Sequence, residues 1–101
     1  MDYALLQEPE ERALIRNLAT YPEIVAEAAQ QWEPALVAQH LLLIAADFNS
    51  YWTRGNKEHA VRILRPEAAA LTTARVTLTA GVRTVLRNGL QLLGVPTPDA
   101  M

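Results

Sequence analysis

Residues 74–101, ARVTLTAGVRTVLRNGLQLLGVPTPDAM, are the stretch that decides the fold. Within it Leu78, Val82, Val85, Leu86, Leu90 and Leu93 recur mostly at steps of three and four, the spacing of one buried face of an α-helix. Arg75, Thr79, Arg83 and Arg87 recur at steps of four on a different face. A step of four overshoots one turn by about 40°, so this second line drifts around the cylinder as it climbs. The expectation is an amphipathic helix docked by its apolar face, with a cationic stripe turned outward. Gly94 ends the pattern and Pro96 prevents its continuation.

Working outward from that helix, proline marks the rest of the chain. Pro9, Pro22, Pro34 and Pro66 each head an apolar-periodic segment, where a missing amide proton costs nothing. Glu10, Glu23 and Glu67 follow three of them and oppose the positive end of a helix dipole. Four helices are therefore predicted: about Pro9 to Ala19, about Pro22 to Gln31, about Pro34 to Trp52, and about Pro66 to Leu93 with a break near Thr72 and Thr73 left open. The third is apolar nearly all round and reads as the central, most enclosed helix. Trp32 and Val37 stand at the offsets of a hydrophobic staple across its start. Between the third and fourth helices, Arg54 to Lys57 reads as a polar turn and Ala60 to Leu64 (AVRIL) as a short alternating extended segment. Gly81 and Gly89, inside the helical pattern, are expected to permit close helix–helix approach. No strand set could build a sheet. The fold class is all-α, a bundle of about four main helices.

A chain of 101 residues, half of them hydrophobic, makes one domain with a real core. The longest uninterrupted apolar run, Leu41 to Ala46, is far short of the roughly 20 residues of a membrane span. No charged-then-apolar leader precedes Glu8, so no secretion signal is read. Cysteine is absent, which excludes disulfides and thiolate chemistry and fits a reducing, cytoplasmic setting. The net charge of −2 hides a gradient: residues 1–50 carry −6 and residues 51–101 carry +4. Such a polarity admits an anionic partner on the second half, though scattered surface charge gives the same count.

Enzyme chemistry finds little to stand on. His40, Asp47 and Ser50 share one helix, but ten residues of helix separate His40 from Ser50 by about 15 Å, too far for a triad. His40 is expected to be a partly buried polar residue facing a gap between helices. His40 and His59 are the only histidines, no ligand-spaced pair exists, and no phosphate loop or dinucleotide glycine pattern occurs, so no metal or cofactor is expected in this chain. The arginines suit a binding role better. Like charges at i, i+4 weaken an isolated helix by a few tenths of a kcal/mol per pair, a cost that an anionic partner would offset. Tyr51 and Trp52 close the third helix beside Arg54 and Lys57. End-of-helix aromatics are most often core plugs, but only one of this adjacent pair can face fully inward, so the other is the better candidate for contact with an unstacked base.

Three blocks together resemble a known family. DYALLQEPEERALIRNLATYPEIV (residues 2–25), WEPALVAQHLLLIAADFNSYW (32–52) and TARVTLTAGVRTVLRNGLQLLGVPTPDAM (73–101) are similar, in order and content, to the anticodon-binding (DALR) domain at the C-terminus of arginyl-tRNA synthetases. The likeness spans nearly the whole chain, and its last block, finishing on the terminal methionine, is the most specific.

The resemblance implies a helical bundle, residues 1–101, that holds the anticodon stem-loop of arginine tRNA. It implies stacking by the aromatic that closes the central helix, here Trp52 where tyrosine is usual, and contact from the terminal methionine, here Met101. Arg75 matches the arginine opening the last helix, and Asn49 occupies a polar Asn/His position. Arg83 and Arg87 join Arg75 as the expected phosphate contacts. Departures are His40 for a tyrosine, and Asp99 and Ala100 for glutamate and arginine before the last methionine. The family's catalytic domain, with its ATP-binding His-Ile-Gly-His and Lys-Met-Ser-Lys signatures, has no counterpart here. The expectation is thus a non-catalytic, excised C-terminal domain whose parent is an arginine–tRNA ligase using ATP with Mg, and whose partners are the anticodon stem-loop and the parent's catalytic domain, with no membrane. A free-standing tRNA-binding or protein-interaction module is the alternative.

Overall fold

A computed structural model describes residues 3–94. Three long helices carry the architecture: α1 (Pro9–Gln31), α2 (Ala35–Lys57) and α3 (Ala69–Leu92). Two 3-10 turns, Tyr3–Leu5 and His59–Val61, complete the described residues, among which there is no strand. The all-α class is as expected, but the expected four helices are three.

The difference lies at Pro22, which sits inside α1 instead of heading a second helix. A mid-helix proline leaves the carbonyl four residues back without its donor and costs about 3 kcal/mol in an isolated helix. Here tertiary packing outweighs that. Leu14, Leu18, Tyr21, Val25 and Ala28 follow steps of four and three without a change of phase across Pro22. Leu14, Tyr21 and Ala28 are buried, with Leu18 packed against the cluster that holds Leu14 and Val25 against the one that holds Tyr21 and Ala28. A break at Pro22 would throw half of that line out of register. Thr20 turns its hydroxyl back to the Arg16 carbonyl at 2.7 Å, as a residue inside a helix does, instead of capping a new one.

α1 ends at Trp32, which takes the left-handed conformation (φ 54°, ψ 39°). The Glu33 amide then donates to the Ala28 carbonyl at 2.9 Å and the Trp32 amide to Ala29 at 3.4 Å, a Schellman closure built without glycine. The expected staple between Trp32 and Val37 does not form: Val37 is buried, whereas Trp32 is 92% exposed and directed into solvent.

α2 starts where expected but continues five residues past Trp52, so that Arg54 to Lys57 is helix and not a turn. Gly55 makes this workable. A Cβ there would lie 3.3 Å from both the Arg62 Cα and the Val61 carbonyl oxygen, so the returning chain rests directly on the helix backbone. Arg54 is held by Glu10 at 2.7 Å, Glu58 at 3.2 Å and Glu8 at 3.5 Å. α2 packs on α1, on α3 and on the second 3-10 turn. It is less enclosed than its composition suggests, for Leu42 is 71% exposed and Leu43 46%.

α3 begins three residues after Pro66 and runs unbroken through Thr72 and Thr73. Thr72 closes the preceding loop: its Oγ1 accepts from the Arg65 amide at 2.9 Å and donates to the Arg65 carbonyl at 2.8 Å. Gly94 ends the helix at φ 76° as expected. Pro96 lies outside the described residues. The two interior glycines differ. A Cβ on Gly89 would meet both Leu41 methyl carbons at 2.6 Å, so α2 and α3 approach closely there. A Cβ on Gly81 would make only ordinary contact with Leu18, at 3.5 Å.

Candidate nucleic-acid interface

The core decides which of the two adjacent aromatics is free. Residues at successive positions of a helix point about 100° apart, so burying one swings the next toward solvent. Tyr51 is 1% exposed and joins the core with Leu14, Ile44, Val61 and Leu78. Trp52 is 51% exposed. Tyr51 is fixed by its hydroxyl, which donates to Glu11 Oε2 at 2.6 Å. Burial, and then that carboxylate, push the Tyr51 phenol far above its ordinary pKa, so it remains a donor.

Trp52 stands between two apolar hollows. On one side is a cleft of about 310 Å³, floored by Tyr51 and Gly55 and walled by Arg62, Ile63, Leu64 and Val76. On the other side Trp52 shares a shallower hollow with Ala45, Phe48, Asn49 and Leu86. Asn49 is exposed there and adds a donor and an acceptor within an otherwise apolar surface. Trp52 and Asn49 are thus brought together.

Arg83 and Arg87 are brought together too, on the adjoining face of α3, where they line a polar hollow with Thr84, Asn88 and Gln91. Among the described residues no carboxylate pairs with either. Leu86, between them in sequence, is the side chain that reaches round to the Trp52–Asn49 hollow.

Arg75 is different, and the expectation of an outward stripe fails for it. Its side chain is buried and its Nε donates to Glu11 Oε2 at 2.6 Å. Its Nη1 donates to the Ala60 and Arg62 carbonyls at 2.8 and 2.9 Å. The drift of about 40° per step explains this: three steps from Arg75 to Arg87 turn through about 120°, enough to carry the line from the core to open solvent. Arg75 is therefore not placed to meet a phosphate. Met101 lies outside the described residues.

Sequence reasoning missed Arg62, Ile63, Leu64 and Val76 as walls of the cleft. A signal existed in the alternation of AVRIL: Val61 and Ile63 are buried, Arg62 and Leu64 exposed. What the alternation could not reveal is that Gly55 would receive this segment. His40 is buried as expected, its Nε2–H donating to the Asn17 carbonyl at 2.7 Å while the ring stacks on Tyr21. Asp47 is turned to Asn17 at 2.6 Å, away from any catalytic pairing. Among the described residues no cluster of three His, Cys, Asp or Glu side chains could hold a metal, and no helix is long and apolar enough to cross a membrane.

The family model of the DALR anticodon binding domain matches residues 1–101. The arginine–tRNA ligase of Bordetella pertussis is 46% identical over 100 residues, covering 99% of this chain and 17% of the ligase. Those of Bradyrhizobium sp. strain BTAi1 and Rhodopseudomonas palustris strain CGA009 are 43% and 41% identical over 96 residues, covering 95% of the chain and 16% of each ligase. The chain thus spans only 16 to 17% of the length of these relatives. No solved structure matches significantly. The chain belongs to the DALR anticodon-binding domain family.

Proposed function

We propose that this domain binds the anticodon stem-loop of an arginine tRNA through the surface centred on Trp52. The observation that carries the reading is a half-exposed indole with an apolar hollow on each side, next to a helix face bearing two arginines free of carboxylates. A splayed base would stack on Trp52, Asn49 would offer hydrogen bonds to a base edge, and Arg83 and Arg87 would meet backbone phosphates. Trp52 supplies a broad stacking face but no hydroxyl. Met101 enters this footprint through the family resemblance alone, and Arg75 leaves it.

The parent activity, ATP-dependent ligation of arginine to tRNA in the cytoplasm, belongs to the same proposal. So does contact with a catalytic domain. ATP and Mg would belong to the parent's catalytic domain: the sequence carries no phosphate loop, and among the described residues no cluster of three His, Cys, Asp or Glu side chains could hold a metal.

Binding of the stem-loop, measured by fluorescence anisotropy, should weaken steeply as salt rises. Trp52→Ala should lose roughly 1–3 kcal/mol of binding, the range for one stacked base. Arg83→Ala and Arg87→Ala should each lower the salt slope by about one. Equal binding by Trp52→Ala and the parent chain would remove Trp52 from the site.

A protein-interaction role is the second reading, favoured by the exposure of Leu42, Leu43 and Trp32. Self-association in sedimentation that arginine tRNA does not affect would support it.

A further inference from the structure

We propose that Arg75 is a positioning residue for the Trp52 cleft: from inside the core it holds the loop segment Ala60–Leu64, whose Arg62, Ile63 and Leu64 line the cleft together with the indole. The inference rests on the reading of Trp52 as the stacking face, and it assigns to this arginine a task other than phosphate contact.

The argument starts from a single carboxylate. Glu11 Oε2 receives the Tyr51 hydroxyl and the Arg75 Nε–H, each at 2.6 Å, while Glu11 Oε1 receives the Glu8 amide at 3.0 Å. Glu11 is wholly buried. One acid therefore fixes Tyr51, the floor of the cleft, and the guanidinium that anchors its wall. Arg75 then spends its remaining reach on the Ala60 and Arg62 carbonyls. Those two residues bracket Val61, which is fully buried, and lead directly into Ile63 and Leu64 of the wall.

The loop has other ties as well: the Val61 and Ile63 side chains are buried in the core, the Arg62 amide donates to the His59 carbonyl at 3.1 Å, and Arg65 Nη1 reaches the Ala60 carbonyl at 3.4 Å. Gly55 accepts the Arg62 backbone in van der Waals contact, and the Arg62 Nε lies 3.5 Å from the Gly55 carbonyl, a long hydrogen bond. Thr72 ties down Arg65, beyond the wall. The chain between Val61 and Arg65 has no regular secondary structure of its own, so its distance from Trp52 is set by the burial of Val61 and Ile63 together with the grip of Arg75 on the Ala60 and Arg62 carbonyls. The planar guanidinium meets the carboxylate through Nε and the two carbonyls through Nη1, donors spread over one rigid fork, whereas a lysine's three donors sit on a single nitrogen at the end of a flexible stem. A lysine at 75 would keep the charge beside Glu11 and lose the fork.

The test compares Arg75→Lys with the parent, both carrying Trp32→Phe so that Trp52 is the single indole. Circular dichroism first establishes that the variant is folded at the working temperature. Acrylamide quenching of Trp52 without RNA is expected to rise in Arg75→Lys as the wall loosens. Affinity for the arginine-tRNA anticodon stem-loop is expected to fall about fivefold or more, the low end of what losing a stacked base costs. The slope of log affinity against log salt is expected to stay unchanged. Unchanged quenching with unchanged affinity would overturn the proposal. A salt slope lower by about one would overturn it too, by making Arg75 a phosphate contact. If Arg75→Lys does not fold, the parent chain decides by NMR: the Arg75 Nε–H resonance should stay protected from exchange and unshifted on RNA addition while the Trp52 indole N–H shifts. A shift of Arg75 would reject the inference. Failure of the parent chain to bind the RNA would sink the stem-loop reading, with the quenching result still judging Arg75.

Discussion

Two glycines on one helix carry opposite expectations. Gly81→Ala places a methyl at ordinary contact distance from Leu18 and removes a flexible residue from the helix interior. It should stabilise by up to about 1 kcal/mol. Gly89→Ala drives a methyl to 2.6 Å from both Leu41 methyl carbons, and Leu41 is itself buried. Overpacking of that kind costs about 1–3 kcal/mol and should exceed the propensity gain. Urea unfolding midpoints should move in opposite directions. Trp32 makes a third residue-scale case, since a bulky side chain in the left-handed region carries a penalty of about 1–2 kcal/mol that glycine avoids. Because the indole is 92% exposed, Trp32→Gly loses little packing and should raise the melting temperature. A drop would mean that the indole contributes contacts within the folded chain.

At the scale of the element, α1 shows packing overruling propensity. Pro22 is exposed, so no packing is lost on its removal, and Pro22→Ala restores a donor for the Leu18 carbonyl. The gain is reduced by the greater freedom of the unfolded chain, worth about 0.4–1 kcal/mol. A net stabilisation of about 1–2 kcal/mol is expected in urea titrations. The same contest explains what was legible in this helix. The line Leu14–Leu18–Tyr21–Val25–Ala28 keeps its phase in the sequence itself, and only the weight given to proline as a boundary hid it. α3 shows the reverse case. Its apolar line is legible in full, and so is the drift of the arginine line by about 40° per step, but not that the drift begins on the buried side. Arg75 sits on the inner flank of that drift, Thr79 at the cleft, and Arg83 and Arg87 outside. The pairing of Trp52 with Asn49 across three residues was readable from helical spacing. The walls of its cleft were not, because they arrive from a loop.

Over the whole molecule, the acidic first half and basic second half answer one another at two arginines. Arg54 is held by Glu8 and Glu10, and Arg75 by Glu11, so ion pairs join the two halves of the chain. Arg65 pairs locally with Glu67, whose pKa is lowered to about 2 by backbone and side-chain hydrogen bonds. Lys57, Arg62, Arg83 and Arg87 then have no carboxylate partner among the described residues, and they are the cations of the basic half left for an anionic ligand; Arg12 and Arg16 of the acidic half likewise lack one. The network around Glu11 also sets an alkaline limit. Tyr51 holds its proton more tightly when folded than the unfolded chain does, whose phenol titrates near 10.0. The stability this represents is intact below about pH 10 and is lost as pH rises further. Tyrosinate absorbance should show one class of phenol ionising only as helix is lost. Tyr51→Phe should flatten that alkaline dependence while costing about 1–3 kcal/mol at neutral pH, by leaving a buried carboxylate without one donor. Ionisation of Tyr51 within the intact fold would contradict the buried network.

The sequence by itself determined the helical class, the buried line of α3 and the family, because these depend on periodicity and local order that a linear string records. Only the tertiary structure decided that Pro22 is spanned, that Arg75 turns inward to Glu11, and that a loop returns across Gly55 to wall the Trp52 cleft. Those outcomes depend on contacts between residues tens of positions apart, where burial of a shared core outweighs the preference of any single residue.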